Sequence, residues 1–203
     1  DQTSAYSEHQ VMSRWFPDQS TPEQDHPFCN NANAAVRRTV WQGLKYDESL
    51  TGLEDTDWAR QAILLGHKIA YSAEAEVLHL HNESLGQIQN RYRREAIALN
   101  RIFPQETFGI LDFFRLFFAN TVSDYRHALR DGVLKANLFG IFSFRLMQFW
   151  GTYRGFKQRG PVTSPLKRTF YYPNDWKQPT VSVEEAEPRP RVDYADKPTE
   201  HPV

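Results

Sequence analysis

The composition of the chain changes abruptly after Pro104, and this change limits the folds that it can adopt. Aromatic residues crowd the stretch that follows, and no Asp or Glu occurs between Gly132 and Asn174. From Asp175 onward the chain is acidic and rich in proline, a composition that buries too little apolar surface to offset the entropy lost on ordering. We therefore expect three regions: a compact part over 1–104, an aromatic and basic helical region over 105–160, and a disordered tail over 161–203.

Charge and cysteine content exclude several classes of protein. The chain has 203 residues with 24 Lys+Arg against 25 Asp+Glu, and this balance argues against general nucleic-acid binding. The single cysteine, Cys29, rules out an internal disulfide framework and a cysteine-based zinc site, and fits a reducing compartment. No uninterrupted apolar run approaches about 18 residues, so we expect no membrane span. The chain opens at Asp1 without Met or a signal peptide, which allows Asp1 to be a truncation point.

Hydrophobic periodicity predicts an α/β arrangement for the compact part. Helices are expected over 7–16, 39–44, 53–65 and 84–102, and short strands over 34–37, 68–72 and 75–81. Gly66 and Pro104 would end the third and fourth helices. Ser84 would cap the fourth helix, but without a Glu three residues later we expect its capping box to be incomplete.

An acidic cluster at the start of the third helix is the sharpest candidate for chemistry. Glu54, Asp55 and Asp57 crowd its first turn. Carboxylates there are stabilised by the helix dipole, by about 0.3–1 kcal/mol each, which is a sufficient structural explanation. Alternatively, adjacent carboxylates raise one another's pKa and leave a base able to accept a proton.

Two histidines and an asparagine-rich loop are the next candidates. His79 and His81 end a predicted strand and would point to the same face, as a pair of metal ligands does, although such a pair is more often a surface feature. Asn30, Asn31 and Asn33 precede another predicted strand. Their amides suit sugar hydroxyls, or equally a tight turn.

A basic cluster on the fourth helix is the last candidate. Arg91 and Arg94 are three residues apart and share a face, so they could clamp a diphosphate, or simply be solvated.

In this order the motifs resemble a known family. The Asn-Asn-Ala-Asn loop, the Tyr46-Asp47-Glu48 segment, residues 52–58 (Gly-Leu-Glu-Asp-Thr-Asp-Trp), Gly66 and His79 are similar to the C-terminal half of the catalytic domain of family-two inverting glycosyltransferases. These enzymes have the GT-A fold, and their rhamnosyltransferase-like branch builds bacterial surface polysaccharides. The resemblance therefore implies an α/β fold, the C-terminal portion of a GT-A domain, followed by amphipathic helices and the tail.

The resemblance also implies roles for individual residues. Asp55 would be the catalytic base that deprotonates an acceptor hydroxyl for inverting attack on a nucleotide sugar. His79, rather than His81, would complete the shell of a divalent metal, Mg²⁺ or Mn²⁺. The resemblance and the motifs together assign the acceptor-binding side chains to Glu54, Asn31, Asn33 and Trp58, and the diphosphate contacts to Arg91 and Arg94.

The departures from the family concern the donor. Nothing before Phe28 supplies the nucleotide-binding half or its Asp-X-Asp motif, so we expect this chain to be inactive alone. The processive-synthase Gln-X-X-Arg-Trp motif is absent, which favours transfer of one or a few sugars.

Several interpretations therefore stand at this point. The first is the acceptor-side part of an inverting, metal-dependent glycosyltransferase that uses a nucleotide-sugar donor and a saccharide or lipid-linked acceptor. The second is a non-catalytic sugar- or membrane-binding adaptor. The third is a small metal hydrolase that uses His79, His81 and Asp55. The aromatic region over 105–160 is either an ordinary helical subdomain or an element that lies on a membrane surface. Because nucleotide sugars are cytoplasmic, the expected location is the cytoplasm, with peripheral contact to the inner face of the membrane.

Overall fold

The computed structural model describes residues 5–77, 82–158 and 160 of the chain. Six α-helices and one 3₁₀ turn account for most of this part. In chain order they are α1 (Tyr6–Trp15), the 3₁₀ turn (Asn31–Asn33), α2 (Arg38–Gly43), α3 (Glu54–Leu64), α4 (Leu85–Ile102), α5 (Ile110–Arg130) and α6 (Leu134–Phe156). The predicted tail over 161–203 lies outside the described residues.

The expected α/β architecture, the C-terminal portion of a GT-A fold, is wrong. The residues that the structure describes contain no strand and no sheet. Pairing there is limited to one isolated antiparallel bridge between Thr21 and Tyr71. A strand needs a neighbouring strand for its backbone groups, and the predicted strand over 34–37 has none. The strand predicted over 68–72 has that bridge and one further backbone hydrogen bond, from the Gln24 N–H to the Ile69 carbonyl at 2.8 Å, and forms no sheet. Most of the last predicted strand, residues 78–81, lies outside the described part.

The helices, whose signals are local, were predicted well. α1, α2, α3 and α4 begin and end within one or two residues of the predicted bounds. The incomplete capping box predicted at Ser84 is wrong, because Gln87 completes it. The Ser84 hydroxyl accepts from the Gln87 backbone N–H at 3.4 Å, and the Gln87 Oε1 accepts from the Ser84 N–H at 2.8 Å. A glutamine at this position serves as well as a glutamate.

Two glycines allow α6 to approach α4 closely. A Cβ atom built on Gly151 would lie 2.3 Å from the Gln89 carbonyl oxygen, and one built on Gly155 would lie 2.5 Å from the Arg93 oxygen. Only residues without a side chain fit where two helix backbones come this near, as in small-xxx-small packing motifs. Gly151 and Gly155 therefore set the distance between α4 and α6, so α6 packs on the helix that precedes the predicted boundary at residue 104. That domain boundary stays a prediction.

A buried ion pair ties α1, α5 and α6 together. Arg145 on α6 donates from Nε and Nη2 to the two oxygens of Asp124 on α5, at 2.7 and 2.9 Å. Its Nη1 donates to Gln148 at 2.8 Å, and Ser7 on α1 donates its hydroxyl to Asp124 at 2.6 Å. All four residues are less than 10% exposed. Fully paired in this way, the two charges avoid the penalty of an uncompensated buried ion.

Phenylalanines fill the contact between α5 and α6. Phe113, Phe117 and Phe149 are at most 9% exposed and form one apolar cluster, against which Tyr153 packs. The aromatic content of this region therefore serves, in part, as an ordinary helical core. None of the described helices is long and apolar enough to cross a membrane.

Candidate functional site

The centre of the candidate site is a contact between Asp55 and the asparagine-rich loop. Asp55 lies in the first turn of α3, and its Oδ2 accepts a hydrogen bond from the Asn31 backbone N–H at 3.0 Å. Its Oδ1 accepts from the Thr56 N–H at 2.7 Å. A carboxylate has about four lone-pair sites, so both oxygens keep capacity for a further donor such as a substrate hydroxyl.

The backbone entering α3 is strained immediately before this carboxylate. Leu53, the residue that precedes the helix, has φ 56° and ψ 24° in the left-handed region. A non-glycine residue pays about 1–2 kcal/mol for this conformation, and such strain clusters at functional sites. The turn at Leu53 directs the chain so that Glu54 and Asp55 open α3 beside the loop.

Side-chain hydrogen bonds fix the loop in place. The Asn30 side chain accepts from the Ala32 N–H at 2.9 Å and so caps the 3₁₀ turn. The Asn31 Oδ1 accepts from the Tyr46 hydroxyl at 3.1 Å. The Asn33 amide donates to the carbonyl of Ala75. The asparagines thus hold the loop as a tight-turn structure does, while the Asn31 backbone reaches Asp55.

Burial and neighbouring charge perturb the acidity of the groups in this cluster. Burial raises the pKa of Asp55 above its ordinary value, and the charge of Glu54 adds to this, whereas the N–H groups of Asn31 and Thr56 act in the opposite direction. Burial and the charge of Asp55 also raise the pKa of Cys29. An aspartate with raised pKa is a stronger base than an exposed one.

Two of the site residues singled out in the sequence have structural partners. Asp57 is buried and accepts from Arg60 at 3.0 Å and Gln61 at 2.7 Å. Trp58, predicted to bind the acceptor, is 5% exposed, and its indole N–H donates to the Leu44 carbonyl at 2.9 Å. The Trp58 ring packs against Ala59 and Ala62 in a small core beneath the loop, where it supports the position of α3.

The predicted diphosphate contacts lie on α4, and the structure shows what surrounds them. Arg91 donates to Glu8 at 2.7 Å and from Nε to Glu83 at 2.9 Å. The carbonyl of Arg94 accepts from the Thr51 hydroxyl at 2.8 Å, which places Arg94 against the segment that leads into α3. Arg91 therefore already contacts two carboxylates, and a diphosphate would have to compete with them.

The predicted metal ligand cannot be placed. His79 and His81 lie outside the described residues. Within the described ranges there is no group of three or more His, Cys, Asp or Glu side chains arranged to hold a metal ion.

Tyr46, Cys29 and Glu95 belong to or adjoin the cluster without having been assigned a role from the sequence. Cys29 directly precedes the asparagines, a proximity that could have suggested it. Burial raises the pKa of Glu95 to about 6 against the opposing charges of Arg91 and Arg94, and no sequence pattern marks this residue. Its Cγ lies 3.9 Å from the Cβ position of Gly52, near the start of α3.

A surface cavity of about 400 Å³ opens beside the chain that leads into the loop. Among the groups that line it are Trp15, Glu23, Asp25 and His26. Trp15 is 48% exposed and stacks on Phe28 at 4.6 Å. An aromatic face and carboxylates thus share one opening, a lining that no sequence motif indicated.

Comparison with known proteins relates part of the chain to two enzymes. It is 42% identical over 66 residues to the O-antigen chain rhamnosyltransferase WbaN of Salmonella anatum. It is 39% identical over 66 residues to the O-antigen chain rhamnosyltransferase RfbN of Salmonella typhimurium. Each match covers 32% of this chain and 21% of the relative, so the matched part spans about a fifth of the relatives' length. No protein-family model matches the chain, and no solved structure matches it. The similarity supports a relationship to glycosyltransferases over about a third of the chain.

Proposed function

We propose that this chain is part of a glycosyltransferase that acts in surface polysaccharide synthesis. It would transfer a sugar from a nucleotide-sugar donor to a saccharide or lipid-linked acceptor. The observation that carries the proposal is the Asp55 carboxylate, half-buried, with raised pKa and held by the Asn31 N–H at 3.0 Å. The partial similarity to two O-antigen rhamnosyltransferases supports the same reaction class.

Asp55 is the general base in the proposed step. It accepts the proton of an acceptor hydroxyl while that oxygen attacks the anomeric carbon of the donor. The bond from that carbon to the nucleoside diphosphate breaks, the diphosphate leaves with the bonding electrons, and the configuration inverts. The Asn31 N–H orients one carboxylate oxygen, so the free lone pairs face a fixed direction. Such preorganisation lowers the cost of reaching the transition state.

Glu54, Asn31 and Asn33 shape the acceptor side in this proposal. Glu54 adjoins the base and its charge helps to raise the pKa of Asp55. The Asn31 and Asn33 side chains are engaged with Tyr46 and Ala75, so they act chiefly by fixing the loop. Trp58 contributes indirectly, because its buried ring packs in the small core that supports α3.

A divalent metal, Mg²⁺ or Mn²⁺, with His79 as a ligand remains part of the proposal, as do diphosphate contacts from Arg91 and Arg94. A bound metal would offset the charge that develops on the leaving diphosphate. The side chains of the described part do not by themselves fit a metal, because no three ligand groups converge there. We therefore assign no step to the ion.

The test is Asp55→Asn in the protein purified from its natural source, assayed with a nucleoside-diphospho-rhamnose donor. Removal of a general base lowers kcat by about 10²–10⁴-fold, and the donor KM should stay within about twofold, since the base acts in the transition state. Glu106→Gln, an equally small change at an exposed carboxylate, is the matched control and should leave kcat unchanged.

The pH profile gives a second readout. A base must be deprotonated to act, so kcat/KM should fall as the pH drops through the pKa of Asp55, at a higher pH than an ordinary aspartate would give. If Asp55→Asn kept the wild-type kcat, the assignment of Asp55 as the general base would be refuted. An intact mass equal to the 23.7 kDa of this chain, with acceptor binding but no transfer, would favour the adaptor interpretation instead.

A further inference from the structure

The outer side of the α5–α6 pair carries two apolar stripes that the protein leaves exposed. On α5 the stripe includes Leu111, Phe114 and Phe118, and on α6 it includes Phe139, Phe142 and Trp150. The spacing within each stripe is three or four residues or a multiple of a turn, which places the side chains along one helix face. Leu111 is 80% and Phe139 82% exposed, values at which a large apolar side chain gains nothing from the core.

Ring contacts join the two stripes into one surface. Buried Phe117 contacts Phe118 on its own helix at 5.1 Å and Phe142 on α6 at 5.3 Å. Buried Phe113 contacts Phe114 at 5.0 Å and Trp150 at 5.7 Å. The exposed rings of α5 and α6 therefore adjoin across the same pair of core phenylalanines.

The exposed charges around this surface are mostly positive. Exposed cations follow or precede the stripe residues by one helical turn: Arg115 follows Leu111, Arg154 follows Trp150, and Lys135 precedes Phe139 by four positions. Arg126 and Lys157 are also exposed. These side chains border the aromatic surface on both helices.

Of the three acids between residues 110 and 158, only Asp112 pairs with one of these cations. Asp124 is buried and paired with Arg145. Asp112 caps the N-terminus of α5 through the Gly109 N–H at 2.9 Å and also accepts from Arg115 at 3.2 Å, so it neutralises that cation. Asp131 lies in the turn after α5 and accepts from the Tyr6 hydroxyl on α1. Arg126, Lys135, Arg154 and Lys157 therefore leave the border of the aromatic surface with an excess of positive charge.

We propose that this surface docks on an anionic lipid bilayer. Aromatic side chains suit the membrane interface, and each Lys or Arg near a negative leaflet contributes to binding. The helices lie on the surface rather than across it, since none of the described ones could span a membrane. Self-association through the same face would bring two basic borders together, which repel. The bilayer therefore matches the charge of this surface better than a second copy does.

The inference goes beyond the proposed transfer reaction and is independent of it. It places this surface of the chain against an anionic bilayer. Loss of docking and loss of catalysis are distinguishable: Asp55→Asn should leave lipid binding unchanged, and the lipid-binding variants should leave transfer to a soluble acceptor unchanged.

The experiment is co-sedimentation of the purified protein with two kinds of vesicle, phosphatidylcholine alone and phosphatidylcholine with phosphatidylglycerol. We expect partition into the anionic vesicles that weakens as salt is raised. Neutralisation of Arg126, Lys135 and Arg154 to Gln should lower the partition coefficient about fivefold per cation. The double variant Leu111→Ser with Phe139→Ser should lower it at least about tenfold.

A matched control uses exposed leucines on another helix. Leu64 and Leu65, at the end of α3, are 73% and 65% exposed, so their replacement by Ser should leave partition unchanged. Thermal unfolding of every variant confirms that it is folded. Equal partition of wild type into both vesicles, no partition at all, or a dimer in light scattering that Leu111→Ser with Phe139→Ser dissolves would each overturn the proposal.

Discussion

Replacement of Gly151 by alanine tests the physical account of how α4 and α6 pack. The new Cβ would lie 2.3 Å from the Gln89 carbonyl oxygen, whereas real Cβ contacts essentially never fall under 3.0 Å. The two helices must therefore separate by about 0.7 Å, the difference between these distances. The atom that it meets is backbone, which cannot rotate away as a flexible side chain would.

The magnitude follows from two opposing effects. Forcing an extra carbon into a packed interface costs about 1–3 kcal/mol, and a gap of this size forfeits a quarter or more of the dispersion energy of the contacts that it separates. Alanine in place of glycine in a helix contributes about 1 kcal/mol in return. Because the overlap at Gly151 is severe, we expect a net loss of about 2 kcal/mol in the free energy of unfolding.

The same helix offers a matched control. A Cβ at Gly140 meets nothing within 4 Å, so Gly140→Ala should show the helix-propensity gain alone, about 1 kcal/mol. In a chain of this size 1 kcal/mol moves Tm by about 2–4 °C. Gly151→Ala should therefore lower Tm by about 4–8 °C, and Gly140→Ala should raise it by about 2–4 °C.

The assay is thermal and urea unfolding followed by far-ultraviolet circular dichroism, with reversibility checked on cooling. Gly155→Ala, whose Cβ would lie 2.5 Å from both the Arg93 oxygen and the Ala96 Cβ, should resemble Gly151→Ala. If Gly151→Ala and Gly155→Ala were as stable as Gly140→Ala, the helices would not be held at the distance described, and the packing argument would be refuted.

Three further perturbations probe charge and metal dependence. Arg145→Met leaves Asp124 buried without its ion-pair partner, which should lower the free energy of unfolding in urea by about 3–5 kcal/mol. An unchanged urea midpoint would contradict the buried pairing. Burial raises the pKa of Glu95 to about 6, so the native state holds this proton more tightly than the unfolded state does. The free energy of unfolding therefore falls as the pH rises from about 4.5 to 6. Glu95→Gln should therefore raise Tm at pH 8 and not at pH 4, whereas the control Glu106→Gln should leave Tm unchanged at both. Equal effects of Glu95→Gln at the two pH values would refute this account of Glu95. His79→Ala should weaken the Mn²⁺ dependence of transfer more than His81→Ala does. Equal effects of the two variants would refute the assignment of His79, rather than His81, as the metal ligand.

Local signals explain which elements could be predicted. The 3.6-residue periodicity, Ser84 as a cap and Gly66 and Pro104 as breakers lie within a few residues of the helix ends that they specify. Strand formation depends instead on a partner that the sequence does not name. The stretch over 34–37 has only Val36 as a residue that favours strands, and no neighbouring strand reaches it.

The sequence suggested some residues of the candidate site, but not the contacts between them. Asp55 and Asn31 were both singled out from their residue types, but the 3.0 Å hydrogen bond between them joins residues 24 positions apart. The diphosphate contact that we expect of Arg91, from its spacing to Arg94, stays a prediction. Its ion pair with Glu8, 83 residues away, could not be predicted from the sequence.

The sequence by itself determined the positions of the helices, the acidic start of α3 and the acid-free aromatic region, because periodicity, capping and charge are properties of neighbouring residues. Only the tertiary structure decided what each charge and ring does. Arg145 belongs by sequence to the same basic stretch as Arg154, yet one is buried against Asp124 and the other meets solvent. Burial of a charge requires a partner brought from elsewhere in the chain, and the free energy of that pairing depends on the packing of all the helices together.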